Sequence, residues 1–113
     1  MIELILKQFL DSRLEVPVLL EKERKLTVTG KFVIFEKTGG SSLNQLKRAT
    51  IAVQSYADSL YEAALLNEEV KTVMSNLVEV ANVSGVTLNS DYNFTDAETK
   101  QYRYQAVFDI NYC

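Results

Sequence analysis

Two runs of alternating residues near the C-terminal end constrain the fold more than any other feature of this chain. The first run is Val86, Leu88, Ser90, Tyr92 and Phe94, and the second is Tyr102, Tyr104, Ala106, Phe108, Ile110 and Tyr112. Polar residues fill most positions in between, with Val107 as the exception. Because side chains alternate between the two faces of a strand, each run predicts a strand with one packed face and one face that is wet or meets a partner. The polar linker 95–99 suits a hairpin connection.

Apolar residues at helical spacing predict two amphipathic helices. Near the N-terminus they are Ile2, Ile5, Leu6, Phe9 and Leu10, which predicts a helix over about residues 2–12. The second helix covers roughly residues 59–80, and its predicted buried stripe is Leu60, Ala63, Leu66, Val70, Val73, Met74 and Leu77. Ser59 and Glu62 have the spacing of a capping box, in which a hydroxyl and a carboxylate satisfy free backbone amides at a helix start.

Three shorter segments predict the remaining strands. Residues 16–20 contain Pro17, which lacks a ladder donor and therefore favours an edge strand or a strand start. Residues 31–35 place apolar side chains on both faces and predict a well-covered strand, and residues 49–56 predict another. The order is α-β-β-β-α-β-β in a single domain, residues 1–113. It predicts an α+β two-layer sandwich, with two helices on one face of a mainly antiparallel sheet of about five strands.

The segment FEKTGGSS, residues 35–42, is predicted to be a loop between two of these strands. Gly39 and Gly40 allow backbone angles closed to other residues, so we expect a sharp turn after a strand that ends near residue 37. Lys37 and the polar residues from Ser41 to Asn44 would then form a tip that contacts a protein partner. The alternative is a surface turn without a partner.

Composition and charge exclude several classes of protein. A length of 113 residues suits one domain, and 47% hydrophobic residues argue against a disordered chain. The net charge of −3 and the pI near 4.9 argue against direct nucleic-acid binding, and the basic run 22–25 is interpreted as a solvated loop. The start, MIELILKQFLDSR, mixes charges into its apolar residues and is predicted to be neither a signal peptide nor a membrane span.

Several short motifs resemble catalytic or ligand-binding motifs, but they lack residues that those motifs require or have them in the wrong order. Residues 37–39 spell the K-T-G triplet of penicillin-recognising enzymes, but the chain has no S-x-x-K element and residues 90–92 do not complete S-D-N. A phosphate-binding loop needs its lysine after the glycines, whereas Lys37 precedes them. A calcium loop starting at Asp91 would need glycine at position 96 and glutamate at position 102, and the chain has neither.

The residue inventory indicates a protein that is not an enzyme. The chain has no histidine, and no spacing identifies a carboxylate pair for acid–base chemistry. Its one cysteine, Cys113, can form no intrachain disulfide and has no histidine to activate it. We therefore predict no catalytic residues, no cofactor and no metal ligands.

Three stretches of the sequence resemble one family of viral proteins. They are EKTGG, QSYADSLYEAA and YRYQAVFDI, within a resemblance that covers about residues 30–112. The chain is similar to small virion proteins of long-tailed phages, chiefly of Gram-positive hosts, that act as tail terminator, tail completion or head–tail joining proteins. Residues 1–29 fit this family only in general outline.

The resemblance implies an α+β subunit that forms a homo-oligomeric ring, typically a hexamer. The implied partners are further copies of the chain, the major tail tube protein and the head-completion or connector protein. No contact with a membrane is implied. The implied location is the head–tail interface of a virion assembled in the bacterial cytoplasm. Alternatives are a head-completion subunit on the portal side, and a cytoplasmic module that binds a small ligand or has a regulatory role.

The predicted interface residues come from the loop and from the last strand. In the loop they are Lys37, Thr38, Gly39, Gly40, Ser41, Ser42 and Asn44. In the last strand they are Arg103 and Gln105, on the polar face that also carries Asp109 and Asn111. The aromatic face of that strand is interpreted as core, and the alternative is that its outer tyrosines cover an interface.

Overall fold

A five-stranded sheet with two helices on one face forms the protein. The computed structural model describes residues 1–20 and 30–113, so the basic run 22–25 lies outside the described residues. The described elements are α1 (Ile2–Arg13), β1 (Val18–Leu20), β2 (Phe32–Leu43), β3 (Leu46–Ala57), α2 (Leu60–Ser75), a short 3-10 helix (Asn76–Glu79), β4 (Val83–Asn93) and β5 (Tyr102–Tyr112). The predicted α+β class and the predicted order of elements are confirmed.

The strand order in the sheet is β1-β2-β3-β5-β4. All neighbouring strands are antiparallel except β1 and β2, which are parallel. Pro17 directly precedes β1 at the sheet edge, as its missing donor predicts, and its carbonyl accepts a hydrogen bond from the Val33 amide at 2.9 Å. The sheet is therefore mainly antiparallel, with one parallel strand at its edge.

Both helices pack against the same face of the sheet, which we call the helix face. The shared core contains Leu6 and Leu10 of α1, Leu66 and Val70 of α2, and sheet residues Val33, Phe35, Ile51, Val53, Phe108 and Ile110. The opposite face, called the open face, carries a smaller cluster of Phe32, Ile34 and Tyr56, with Leu19 packed against it. The rings of Phe32 and Tyr56 stack there at 4.5 Å.

The second helix starts where the sequence predicts and ends earlier. The Glu62 amide donates to the Ser59 hydroxyl at 3.2 Å, so Ser59 caps α2. The α-helix ends at Ser75 rather than near residue 80, and a 3-10 turn follows it. Leu60 is exposed and was wrongly placed in the buried stripe, because it lies in the first turn, beyond the reach of the core.

The predicted loop at FEKTGGSS is instead a strand, which is the largest error of the sequence reading. β2 continues to Leu43, and the turn consists of Asn44 and Gln45, with φ of 51° and 69°. Two positive φ angles define the two-residue hairpin turns whose twist matches that of the flanking strands. Gly39 and Gly40 pair with β3 as ordinary strand residues, so their conformational freedom does not make the turn.

A bulge in β4 breaks the alternation that the sequence suggested. The register shifts between Leu88 and Ser90, so the residues on either side of the shift change face. Val86 packs against the core on the helix face, whereas Tyr92 pairs with Gln105 on the open face. The prediction that Val86, Leu88, Ser90, Tyr92 and Phe94 share one face is therefore wrong.

Candidate functional site

The structure divides the predicted interface residues between two regions. Seven of them lie on the distal part of the β2–β3 hairpin, residues 37–48, which we call the arm. Every residue of the arm is exposed. Arg103 and Gln105 lie instead on the open face of β5, where they pair with Tyr56 and Tyr92. The arm residues are exposed, whereas Arg103 and Gln105 are partly buried, and the two groups do not form one patch.

The two sides of the arm differ in chemistry. Leu43 and Leu46 pair across the turn and are 74% and 61% exposed. They lie on the same side as Arg48, which contacts Asp109 on the open face. Lys47 lies on the helix-face side, with its ammonium 6.0 Å from the centre of the Tyr112 ring. The arm thus presents an apolar pair at its tip with basic side chains behind it.

Gly40 has a packing role that replaces the turn role predicted for it. A Cβ atom at this position would lie 2.9 Å from Cε of Lys37 and 3.3 Å from the Arg48 carbonyl oxygen. The Lys37 side chain therefore lies across the backbone of Gly40. A larger residue would displace this lysine, so Gly40 sets where one charge of the arm is presented.

In the part of the chain that the structure describes, no strand pairs with the outer edge of β2 along the arm. Within the described residues, β1 pairs only with Val33 to Phe35, which leaves the rest of this edge without a neighbouring strand. Thr38 falls at a register shift in the β2–β3 ladder, and its hydroxyl donates to the Thr50 carbonyl at 3.3 Å. Bulges of this kind twist an edge strand and limit unspecific pairing with other chains.

The distal half of the open face is organised around Asp109. Its carboxylate accepts hydrogen bonds from the Thr50 hydroxyl at 2.9 Å and the Asn89 amide at 3.2 Å, and Arg48 lies 3.3 Å from it. The hydrogen bond from Thr50, then that from Asn89, and the nearby charge of Arg48 lower the pKa of Asp109. Asp109 is therefore a charged anchor that joins β3, β4 and β5.

In the half of the open face that lies away from the arm, a chain of hydrogen bonds crosses the same three strands. Arg103 donates to the Tyr56 hydroxyl at 3.0 Å, and Tyr56 donates to Gln54 at 2.9 Å. Gln54 in turn donates to Gln105 at 2.9 Å, and Gln105 donates to the Tyr92 hydroxyl at 2.5 Å. Arg103 also stacks over the Phe94 ring at 4.5 Å, which fixes its guanidinium.

These polar groups bond to one another, and this arrangement suits a contact surface. In residues 1–20 and 30–113, no group of three histidine, cysteine or acidic side chains is placed to hold a metal ion. Asp91, the start of the rejected calcium loop, bonds to Asn67 and Lys71 at 3.3 and 3.4 Å. Among the helices of the described part, none has the length and apolar character to cross a membrane.

The sequence did not identify every residue of these surfaces, and its prediction for the tyrosines of β5 holds for only some of them. Thr50 and Gln54 were assigned to a strand without a role, although their alternation with buried Ile51 and Val53 marks them as open-face residues. Tyr112 belongs to the core, as predicted, whereas Tyr102 and Tyr104 are only partly buried. The exposed leucines at the arm tip carried no periodic signal.

Comparison with known proteins assigns no family to this chain. No protein-family model matches the sequence, and no curated protein matches it.

Proposed function

We propose that this chain is a non-enzymatic assembly protein of a long-tailed phage, which caps the tail tube, joins the tail to the head, or does both. It would act as a ring of identical subunits at the head–tail interface of the virion. The observation that carries the proposal is the resemblance over residues 30–112. Its three specific stretches fall on β2, on the junction of β3 with α2, and on β5.

The surfaces of the molecule support this proposal. A subunit of a closed ring needs two different patches, because each copy contacts its neighbours through a heterologous interface. The arm is one such surface, since all of its residues are exposed and its edge is open in the described part of the chain. The open face is another, and its hydrogen-bonded side chains are held in place before any partner binds.

Electron microscopy of particles made without this gene tests the proposal. We expect overlong tails detached from filled heads if the protein terminates the tail, and tails of normal length that fail to attach if it joins tail to head. Expression of the protein from a plasmid should restore normal particles in either case. Intact, infectious virions from the deletion strain would overturn the proposal and favour a cytoplasmic binding role.

A further inference from the structure

We propose that the arm of one subunit docks on the first half of α2 of a second copy of this chain. This contact would form the interface between neighbouring subunits of the proposed ring, and only the closure of the ring rests on the proposed function. The charge, exposure and position of two surfaces of the molecule support the contact itself.

The two surfaces carry opposite charge. The arm, residues 37–48, contains Lys37, Lys47 and Arg48 and no acidic residue. The segment 58–69, which spans the start of α2, contains Asp58, Glu62, Glu68 and Glu69 and no basic residue. We call this segment the acidic segment. The chain as a whole has a net charge of −3, so the basic arm stands out against an acidic protein.

Both surfaces also expose apolar side chains. Leu43 and Leu46 project at the arm tip, and Tyr61 and Leu65 are 73% and 50% exposed on the outside of α2. Tyr61 and Leu65 are four residues apart and therefore lie on one helix face. Each surface thus combines an apolar pair with charges of a single sign, as expected for the centre and rim of a protein interface.

The two surfaces lie too far apart to meet within one molecule. β3 begins at Leu46, beside the arm tip, and ends at Ala57, just before the acidic segment. A strand of this length spans about 35–40 Å at the usual rise per residue. The longest dimension of the molecule is 44 Å, so the surfaces occupy opposite ends of it. Any contact between them must therefore join two copies, and a contact that repeats from copy to copy in one direction has the heterologous geometry of a ring.

The neighbouring charges leave this complementarity in place. Lys71 pairs with Glu68 and Asp91 at 2.7 and 3.4 Å, so the charges of Lys71 and Glu68 compensate each other within the subunit. Asp58, Glu62 and Glu69 are then the main negative groups of the acidic segment. Lys31 lines a groove beside the acidic segment, together with Glu15, Glu62 and Glu69. Counted over the described lining residues alone, that groove has an excess of negative charge. On the arm, Arg48 is partly compensated by Asp109, which leaves Lys37 and Lys47 as the main positive groups.

Cross-linking between two single-cysteine proteins tests the contact. In a Cys113→Ser background, one protein carries Leu46→Cys and a differently tagged one carries Leu65→Cys, and a short bismaleimide reports their proximity. The control pair replaces Leu65→Cys by Val78→Cys, another exposed apolar position outside the acidic segment. We expect the first pair to cross-link at least about tenfold faster than the control, with a marked loss of rate in 0.5 M salt.

A charge exchange separates docking from chance collision. Lys37→Glu and Lys47→Glu together, in the protein that carries Leu46→Cys, should reduce the cross-linking rate about tenfold. Glu62→Lys and Glu69→Lys together, in the protein that carries Leu65→Cys, should restore that rate. Equal rates for the test and control pairs, no cross-linking in either pair, or fastest cross-linking between two Leu46→Cys copies would each overturn the proposal. Far-ultraviolet circular dichroism of every variant establishes that the fold is retained.

This result and the deletion result are independent. Failure to cross-link together with overlong or unattached tails would remove the arm contact and leave the phage function. Specific cross-linking together with intact virions would retain the self-association surface and remove the phage function.

Discussion

Replacement of Asp109 by asparagine tests the organisation of the open face. The side chain of Asp109 is only 14% exposed and accepts hydrogen bonds from Thr50 and Asn89. Asparagine has nearly the same shape, but it has no charge, and its amide group would face another donor. Hydrogen bonds to a charged group contribute about 1.5–3 kcal/mol each, and the partial exposure places this site at the low end. The ion pair with Arg48 adds little, because Arg48 is 59% exposed.

We therefore expect Asp109→Asn to lower the free energy of unfolding at pH 7 by about 1–2 kcal/mol. For a domain of this size the melting temperature should fall by about 4–8 °C. Urea unfolding followed by circular dichroism measures the change directly. The exposed acidic residue Glu98, replaced by glutamine, is the control for the loss of one negative charge.

The pH dependence gives a second readout with a definite sign. The pKa of Asp109 is lower in the folded protein than in the unfolded chain, so its stabilising effect is complete above the unfolded pKa of about 3.9. That effect is lost as the pH falls through the folded pKa. The stability difference between wild type and Asp109→Asn should therefore narrow as the pH drops below about 4. A variant as stable as wild type at pH 7, or a difference independent of pH, would refute this reasoning.

Substitutions at three further positions test local features of the fold, each by urea unfolding at pH 7. Ser59→Ala removes the cap of α2 and should cost about 1 kcal/mol, whereas Ser59→Asp should cost little; equal losses would refute the capping role. Ser55→Ala removes a fully buried hydroxyl that has no hydrogen-bond partner within the described structure. The free energy of unfolding should therefore stay the same or rise by up to about 1 kcal/mol. A clear decrease in the free energy of unfolding would contradict the absence of a partner. Gln45→Gly should stabilise the arm turn by about 0.5–1 kcal/mol, because Gln45 has a φ of 69°; no gain would refute the strain.

The regular elements were predictable because their signals are periodic. The apolar stripe of α1 and the capped start of α2 identify the two helices, and both of them pack in the same core. Alternation identifies β5 as a strand with two unlike faces. The parallel pairing of β1 was not predictable. A three-residue strand carries no information about the direction of its neighbour.

The arm and the β4 bulge escaped prediction for different physical reasons. Glycine and serine favour turns in local statistics, but pairing with β3 satisfies the backbone of Gly39 to Ser42 and extends the strand. The true turn lies at Asn44–Gln45, where asparagine tolerates the left-handed region. The bulge between Leu88 and Ser90 depends on β5 as a template, and a single strand read alone shows only its own alternation.

The sequence indicates which segments carry the polar residues of the candidate site, but it does not indicate the hydrogen bonds between them. The polar residues of the arm and the polar face of β5 follow from composition and from a period of two. The hydrogen bonds from Arg103 to Tyr56 and from Gln54 to Gln105 depend on the register of three strands, which no local pattern specifies.

Locating the protein in the virion tests the central claim most directly. The measurement is electron microscopy of purified particles that carry a short epitope tag after Cys113, labelled with antibody on gold, with untagged particles as the control. The account predicts gold at the head-proximal end of the tail, in mature virions and on tails separated from their heads. Gold elsewhere on the particle, or none above the untagged control on particles disrupted to expose the joint, would contradict it.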